Sequence, residues 1–136
     1  MTVSLAYGGE GLGAMWGVQK ARELFTARGV PQPRWNCEIR TLDDELIAEP
    51  DGVWEDLMAA LEIDSMRWHL SPARYLHTQR RQRRLVISGV LVLPVGPGDI
   101  IDNPEAFVHD VVEFRREAAN RPLPIHLRVV ERSRAA

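Results

Sequence analysis

The sequence predicts an α/β fold with a mixed, restriction-endonuclease-like β-sheet that is flanked by helices. The length of 136 residues suits one domain with a real core. Hydrophobic residues make up 45% of the chain and charged residues 26%, which is ordinary for a globular protein. Segments with helical spacing alternate with short extended segments, in the order helix, three extended segments, helix, strand, helix. That order is typical of helices packed on both faces of a sheet.

The chain begins with a glycine-rich segment that precedes the first predicted helix. Residues 1–15 are interpreted as a flexible lead-in, and residues 16–131 as a single domain. A helix is predicted over 16–28 because apolar residues recur there at helical spacing: Val18, Ala21, Leu24 and Phe25. Gly29 follows as a stop signal.

Three extended segments follow the first helix. Residues 34–40 alternate apolar and polar side chains, which predicts a strand, and a second extended stretch lies near 45–49. The turn signal Pro50-Asp51-Gly52 precedes Val53 and Trp54. The apolar run over 57–64 suits a helix by propensity, but its charged end and extended surroundings favour a buried strand.

The remaining elements are two long helices, a buried strand and a tail. Ser71-Pro72 resembles a helix start, and a helix is predicted from there to about Ser88. Residues 90–95 predict a buried strand, whose Pro94 indicates that its end lies near the sheet edge. A last helix is predicted over 104–119, and residues 125–130 fit a short strand or an extended arm.

Composition excludes several classes of protein. No apolar run approaches the roughly 20 residues that a membrane helix needs, and no signal peptide is visible. The single cysteine, Cys37, excludes an internal disulfide and suits a reducing cytoplasm. We therefore expect a cytoplasmic protein without a membrane partner.

Charge is distributed unevenly along the chain. Residues 38–64 hold ten acids and one base, whereas residues 65–84 hold six arginines and no acid. Of the 17 basic residues, 16 are arginine, and Lys20 is the one lysine. Acids can gather a divalent cation while arginines hold a polyanion beside it. Alternatively, both segments are solvated faces that partly neutralise each other.

Three acids in this region form a candidate metal site. Glu62 and Asp64 are two residues apart on a predicted strand and project to the same face, and Asp51 lies on the turn before. If the two strands are antiparallel neighbours, the three carboxylates converge and suit Mg²⁺ or Mn²⁺. His69 is close enough in sequence for a general acid or base role. The alternative is three exposed acids at strand ends and a partly packed histidine.

A resemblance to a known family extends from residue 21 to about residue 130. The matching segments occur in order: ARELF…GVPQPRWN, AEPDGVW, LEIDSMRWHLSP, RRQRRL, GVLVLPVGPGDI and NPEAFVHDVV. They resemble the very-short-patch-repair-like endonuclease domains of the PD-(D/E)xK restriction-endonuclease-like superfamily. AbiEi-type antitoxin proteins often carry a related domain behind a winged helix.

The resemblance implies roles for individual residues. It makes Asp51 the acid of the PD motif and Glu62 the acid of the E-x-K motif, whose lysine position holds Asp64 here. His69 matches a histidine of this branch. The arginines next to the site would contact DNA phosphates: Arg67, Arg80, Arg81 and Arg84.

Two features depart from that family pattern. Its first helix often bears an acid that completes the metal site, and the matching position is near Val18, with Glu23 about 140° further around the helix. Residues 1–25 instead resemble a C-terminal segment of class I S-adenosylmethionine-dependent methyltransferases, a segment that does not hold their cofactor.

Taken with the resemblance, the sequence predicts a Mg²⁺-dependent DNA endonuclease-like hydrolase. The alternative is a catalytically degenerate nucleic-acid-binding domain of a toxin–antitoxin or defence system, with a toxin or antitoxin partner or a second copy of the chain.

Overall fold

The computed structural model of the chain describes residues 10–63 and 72–132. These residues form four helices and seven strands. The helices are α1 (Glu10–Arg28), α2 (Pro72–Ile87), α3 (Pro97–Asp102) and α4 (Pro104–Ala119). The strands are β1 (Arg34–Trp35), β2 (Cys37–Thr41), β3 (Leu46–Ala48), β4 (Gly52–Trp54), β5 (Ala59–Ile63), β6 (Leu91–Val95) and β7 (Leu127–Glu131).

The strands divide into two sheets. The central sheet has the order β1-β4-β5-β6, with β1, β4 and β5 antiparallel and β5 parallel to β6. Parallel neighbours need a crossover connection, and α2 lies within it. Pro94 lies in β6, an edge strand of this sheet, as the sequence predicts. The second sheet has the order β3-β2-β7 and is antiparallel.

The chain passes from one sheet to the other at Asn36. Sequence alternation predicts one strand over 34–40, but the structure has two, because Asn36 adopts φ +56°. Asparagine is among the residues that tolerate this left-handed conformation best. The backbone N–H of Asn36 donates a hydrogen bond of 2.9 Å to the carbonyl oxygen of Asp51, so the bend is tied to the start of β4.

Two hydrophobic cores lie on opposite sides of the central sheet. On one side, residues of α1, α3 and α4 pack against β5 residues that alternate along the strand: Ala59, Leu61 and Ile63. On the other side, Ala60 of β5 and Leu85 of α2 pack with residues of the second sheet. Helices therefore flank the central sheet on both faces, which confirms the predicted α/β class with mixed sheets.

Some boundaries differ from the sequence predictions. The first helix begins at Glu10, six residues before its predicted start, so the glycine-rich segment is partly helical. Helix α3 is not predicted, because its six residues are too short to show a period. Val86, near the end of α2, is exposed. Among the described residues, no helix combines the length and apolarity that spanning a membrane requires.

Candidate functional site

The two acids proposed from sequence spacing lie side by side in the structure. Strands β4 and β5 are antiparallel, and Gly52 lies opposite Leu61, so the register continues with Asp51 beside Glu62. Asp51 Oδ2 accepts a hydrogen bond of 2.7 Å from the backbone N–H of Ile63. The sequence argument required antiparallel neighbours at this point, and the structure confirms that geometry.

Glu62 is buried because it lies on the central strand of the sheet. All five residues of β5 are buried, and only 1% of Glu62 is exposed. Side chains alternate along a strand, so Glu62 shares its face with Ala60, which packs near Leu85 of α2. The glutamate therefore points toward α2 and away from the core formed by α1 and α4.

Arg81 of α2 reaches this glutamate. Its Nη2 donates a hydrogen bond of 2.7 Å to Glu62 Oε2. Arg81 precedes the fully buried Leu85 by one helical turn, so both side chains lie on the same face of the helix. Two buried atoms of the pair, Glu62 Oε1 and Arg81 Nε, have no hydrogen-bond partner among the described residues. A buried polar atom without a partner costs free energy, so its retention needs an explanation.

The environment of Glu62 changes its acidity. Burial raises the pKa of Glu62 to about 7, and the nearby negative charge of Asp51 adds to the increase. The charge and hydrogen bond of Arg81 oppose that rise in pKa, as does the nearby polar backbone of Asp51. Desolvation of the carboxylate therefore dominates. Perturbed carboxylates of this kind are common at functional sites.

The oxygen donors present here suit a hard divalent cation. Glu62 Oε1 is buried and lacks a partner in the part of the chain that the structure describes, and a cation beside it would also be near the carboxylate of Asp51. Within residues 10–63 and 72–132, no group of three or more His, Cys, Asp or Glu side chains is close enough to hold a metal. The third predicted ligand, Asp64, lies outside the described residues, as does His69.

The predicted phosphate-binding arginines differ in their surroundings. Arg80 is exposed on α2, whereas Arg84 donates a hydrogen bond of 2.6 Å to the carbonyl oxygen of Leu46. Arg84 therefore links α2 to β3. The side chain of Arg81 is 38% exposed and contacts Glu62, a contact that the sequence analysis missed. The spacing of Arg81 and Leu85 places both on one helix face, but it does not indicate Glu62 as the partner of Arg81. Arg67 lies outside the described residues.

A broad groove leads from Asp51 along α1. Its volume is about 1180 Å³, and it lies between one face of α1 and the segment 32–36. Val18 and Glu23 both line this groove, although they are about 140° apart on an ideal helix. Glu23 also lies 3.6 Å from Lys20 Nζ, so it is partly neutralised. The apolar Val18 therefore borders the same groove as Asp51 and offers no ligand.

The chain is similar to two uncharacterized proteins from two strains of Mycobacterium tuberculosis. Each is 28% identical to this chain over 85 residues, which is 62% of this chain and 31% of the relative. The chain thus spans about a third of the length of these relatives. No protein-family model and no solved structure matches it.

Proposed function

We propose that the protein is a Mg²⁺- or Mn²⁺-dependent DNA endonuclease-like hydrolase that cleaves phosphodiester bonds. One observation carries this proposal: Glu62 is buried beside Asp51 at the junction of two antiparallel strands, and its Oε1 has no partner within residues 10–63 and 72–132. A buried carboxylate with a lone oxygen is a favourable ligand for a hard cation. The resemblance to PD-(D/E)xK endonucleases, which carry acids at these two positions, adds support.

Each residue has a defined part in this proposal. Asp51 and Glu62 would hold the cation, and Asp64 would bind either the cation or the attacking water. His69 would assist proton transfer. A cation held there would supply positive charge to a phosphodiester as negative charge develops on it. The phosphates on either side would be held by arginines after the acidic segment: Arg67, Arg80, Arg81 and Arg84.

A plasmid-nicking assay tests this proposal. Supercoiled DNA is incubated with the purified protein and Mg²⁺ or Mn²⁺, alongside two single variants, Asp51→Asn and Glu62→Gln. These substitutions keep the size of each side chain and remove its charge. We expect nicking by the wild-type protein and a loss of at least about 100-fold in each variant, since removing a metal-site group costs several kcal/mol of transition-state stabilisation.

The control is a second buried glutamate. Glu38 is 5% exposed and accepts a hydrogen bond of 2.7 Å from Arg40 Nε, but it belongs to the second sheet. The variant Glu38→Gln should therefore nick DNA while Glu62→Gln does not. Equal nicking by wild-type protein and both site variants, or no nicking by any of them, would contradict the proposal.

The second candidate is a nucleic-acid-binding domain without cleavage activity. Two observations favour it: the contact of Arg81 with Glu62 supplies an internal positive charge where a cation would bind, and Val18 lines the groove beside Asp51. Such a domain would retain DNA with strong salt dependence and leave it intact. Measuring DNA retention and DNA nicking in parallel with the same purified protein distinguishes the hydrolase from the binding domain.

A further inference from the structure

Arg81 contacts the same carboxylate, that of Glu62, to which the proposed function assigns a cation. A guanidinium that donates to one oxygen of a carboxylate raises the electrostatic cost of a divalent cation at the other oxygen. Arg81 Nη2 donates to Glu62 Oε2 at 2.7 Å, whereas Glu62 Oε1 is buried and finds no partner in the described part of the chain. The two positive groups therefore compete for one carboxylate.

The two members of the pair differ sharply in exposure. The side chain of Glu62 is 2% exposed, whereas that of Arg81 is 38% exposed. Solvent and ligands can therefore reach the arginine but not the glutamate behind it. The pair also leaves Arg81 Nε buried without a partner, so the contact does not satisfy the arginine fully.

A phosphate group offers Arg81 a better set of contacts. A guanidinium binds a phosphate through two parallel N–H donors, which the single contact with Glu62 does not provide. The one lysine does not compete for this role, because Lys20 lies on α1, with its ammonium 5.5 Å from the centre of the Trp16 ring and 3.6 Å from Glu23. Arg81 is thus a positively charged side chain that contacts the buried carboxylate and is accessible to a phosphate from solvent.

We propose that Arg81 is a positioning residue that couples phosphate binding to cation binding at Asp51 and Glu62. In the free protein Arg81 neutralises Glu62 and holds its orientation. When a nucleic-acid phosphate draws the guanidinium away, Glu62 presents both oxygens to the cation. Nucleic acid and cation therefore bind cooperatively. This inference depends on the proposed function, because it assumes that Glu62 is a cation ligand.

The test measures binding and not cleavage. The affinity of the protein alone for Mn²⁺ is determined by titration, in which the electron paramagnetic resonance signal reports the concentration of free Mn²⁺. The affinity for a short fluorescent DNA duplex is then measured by anisotropy, with EDTA and with Ca²⁺ or Mn²⁺. The variants are Arg81→Gln, Arg81→Lys and Glu62→Gln. Arg83→Gln is the matched control, because Arg83 is an exposed arginine of the same helix, two positions further on.

We expect Arg81→Gln to tighten Mn²⁺ binding by at least about tenfold in the absence of DNA, while Arg83→Gln leaves it unchanged. The gain in DNA affinity caused by the cation should be large in the wild-type protein and nearly lost in Arg81→Gln. Because the lysine ammonium keeps the charge but lacks the two parallel donors, Arg81→Lys should retain only part of the wild-type coupling.

The outcomes separate this inference from the proposed function. If Mn²⁺ binds and Glu62→Gln abolishes that binding, but Arg81→Gln weakens it, Arg81 merely orders the glutamate and the coupling inference is wrong. The same conclusion follows if Arg81→Gln and Arg83→Gln tighten binding equally. If Glu62→Gln binds Mn²⁺ as the wild-type protein does, Glu62 is not a ligand, and the proposed metal site and the coupling inference are both refuted.

Discussion

Replacing Glu62 with glutamine should stabilise the metal-free protein at neutral and alkaline pH. Burial raises the pKa of Glu62 from its ordinary 4.5 to about 7 in the folded protein. The folded state therefore holds this proton more tightly than the unfolded chain does. As a result the wild-type protein loses stability as the pH rises from about 4.5 to about 7, and the loss is complete above that range.

The size of the effect follows from the two pKa values. Each unit of difference is worth about 1.4 kcal/mol, so the ionised glutamate costs the folded protein about 3 kcal/mol above pH 7. Glutamine carries no charge at any pH and fits the same space, and its amide oxygen can still accept the hydrogen bond from Arg81. The difference between Glu62→Gln and wild type should grow from near zero at about pH 4 to about 3 kcal/mol at about pH 8.

Urea denaturation in EDTA, repeated across that pH range, measures this difference. The control is Glu38→Gln, which removes the carboxylate of another buried arginine pair and should lower the free energy of unfolding at neutral pH. A Glu62→Gln variant that is less stable than wild type at about pH 8 would refute the reasoning. So would a gain in stability that does not change with pH.

Three further predictions concern the scaffold, and urea denaturation checks each of them. Gly17→Ala should destabilise the protein by about 1 kcal/mol, because the new Cβ would lie 2.8 Å from Ile63 Cγ2, and an unchanged or higher urea midpoint would contradict this. Arg121→Met should cost about 2 kcal/mol, since its guanidinium donates to three backbone carbonyl oxygens near the start of β5 and the end of α2; an unchanged midpoint would argue against that bridge. Trp54→Phe should cost about 2 kcal/mol, because the buried indole N–H donates to the carbonyl oxygen of Pro31 at 2.8 Å, and a loss below about 0.5 kcal/mol would show that this bond is dispensable.

The sequence predicts the elements that have a clear period or a clear stop. Helix α4 lies where predicted, at Pro104–Ala119, since Asn-Pro starts it and apolar residues recur at helical spacing. The run after residue 57 is a strand, although its propensity also suits a helix, because it lies between strands that pair with it. Position in the sheet overrides propensity there.

The candidate site could be predicted in part. The sequence places Asp51 and Glu62 together only on the condition that their strands are antiparallel neighbours, and β4 and β5 do pair in that way. The contact of Arg81 with Glu62 depends on how α2 packs across the sheet, which one-dimensional spacing does not contain. The bend at Asn36 was missed for a similar reason, because residues 34–40 alternate in sequence without a break.

The pairing of β2 with β7 has a consequence for how the protein folds. Its five residue pairs join parts of the chain that are about 90 residues apart, from Cys37 with Glu131 to Thr41 with Leu127. Closing so long a loop is slow, because the chain loses entropy before the contacts between β2 and β7 can stabilise it. During synthesis on a ribosome, the edge of β2 that pairs with β7 therefore stays uncovered until nearly the whole described chain has been made. The hairpin of β2 and β3 is thus exposed to pairing with other chains during synthesis, and it is where we expect misfolding to begin.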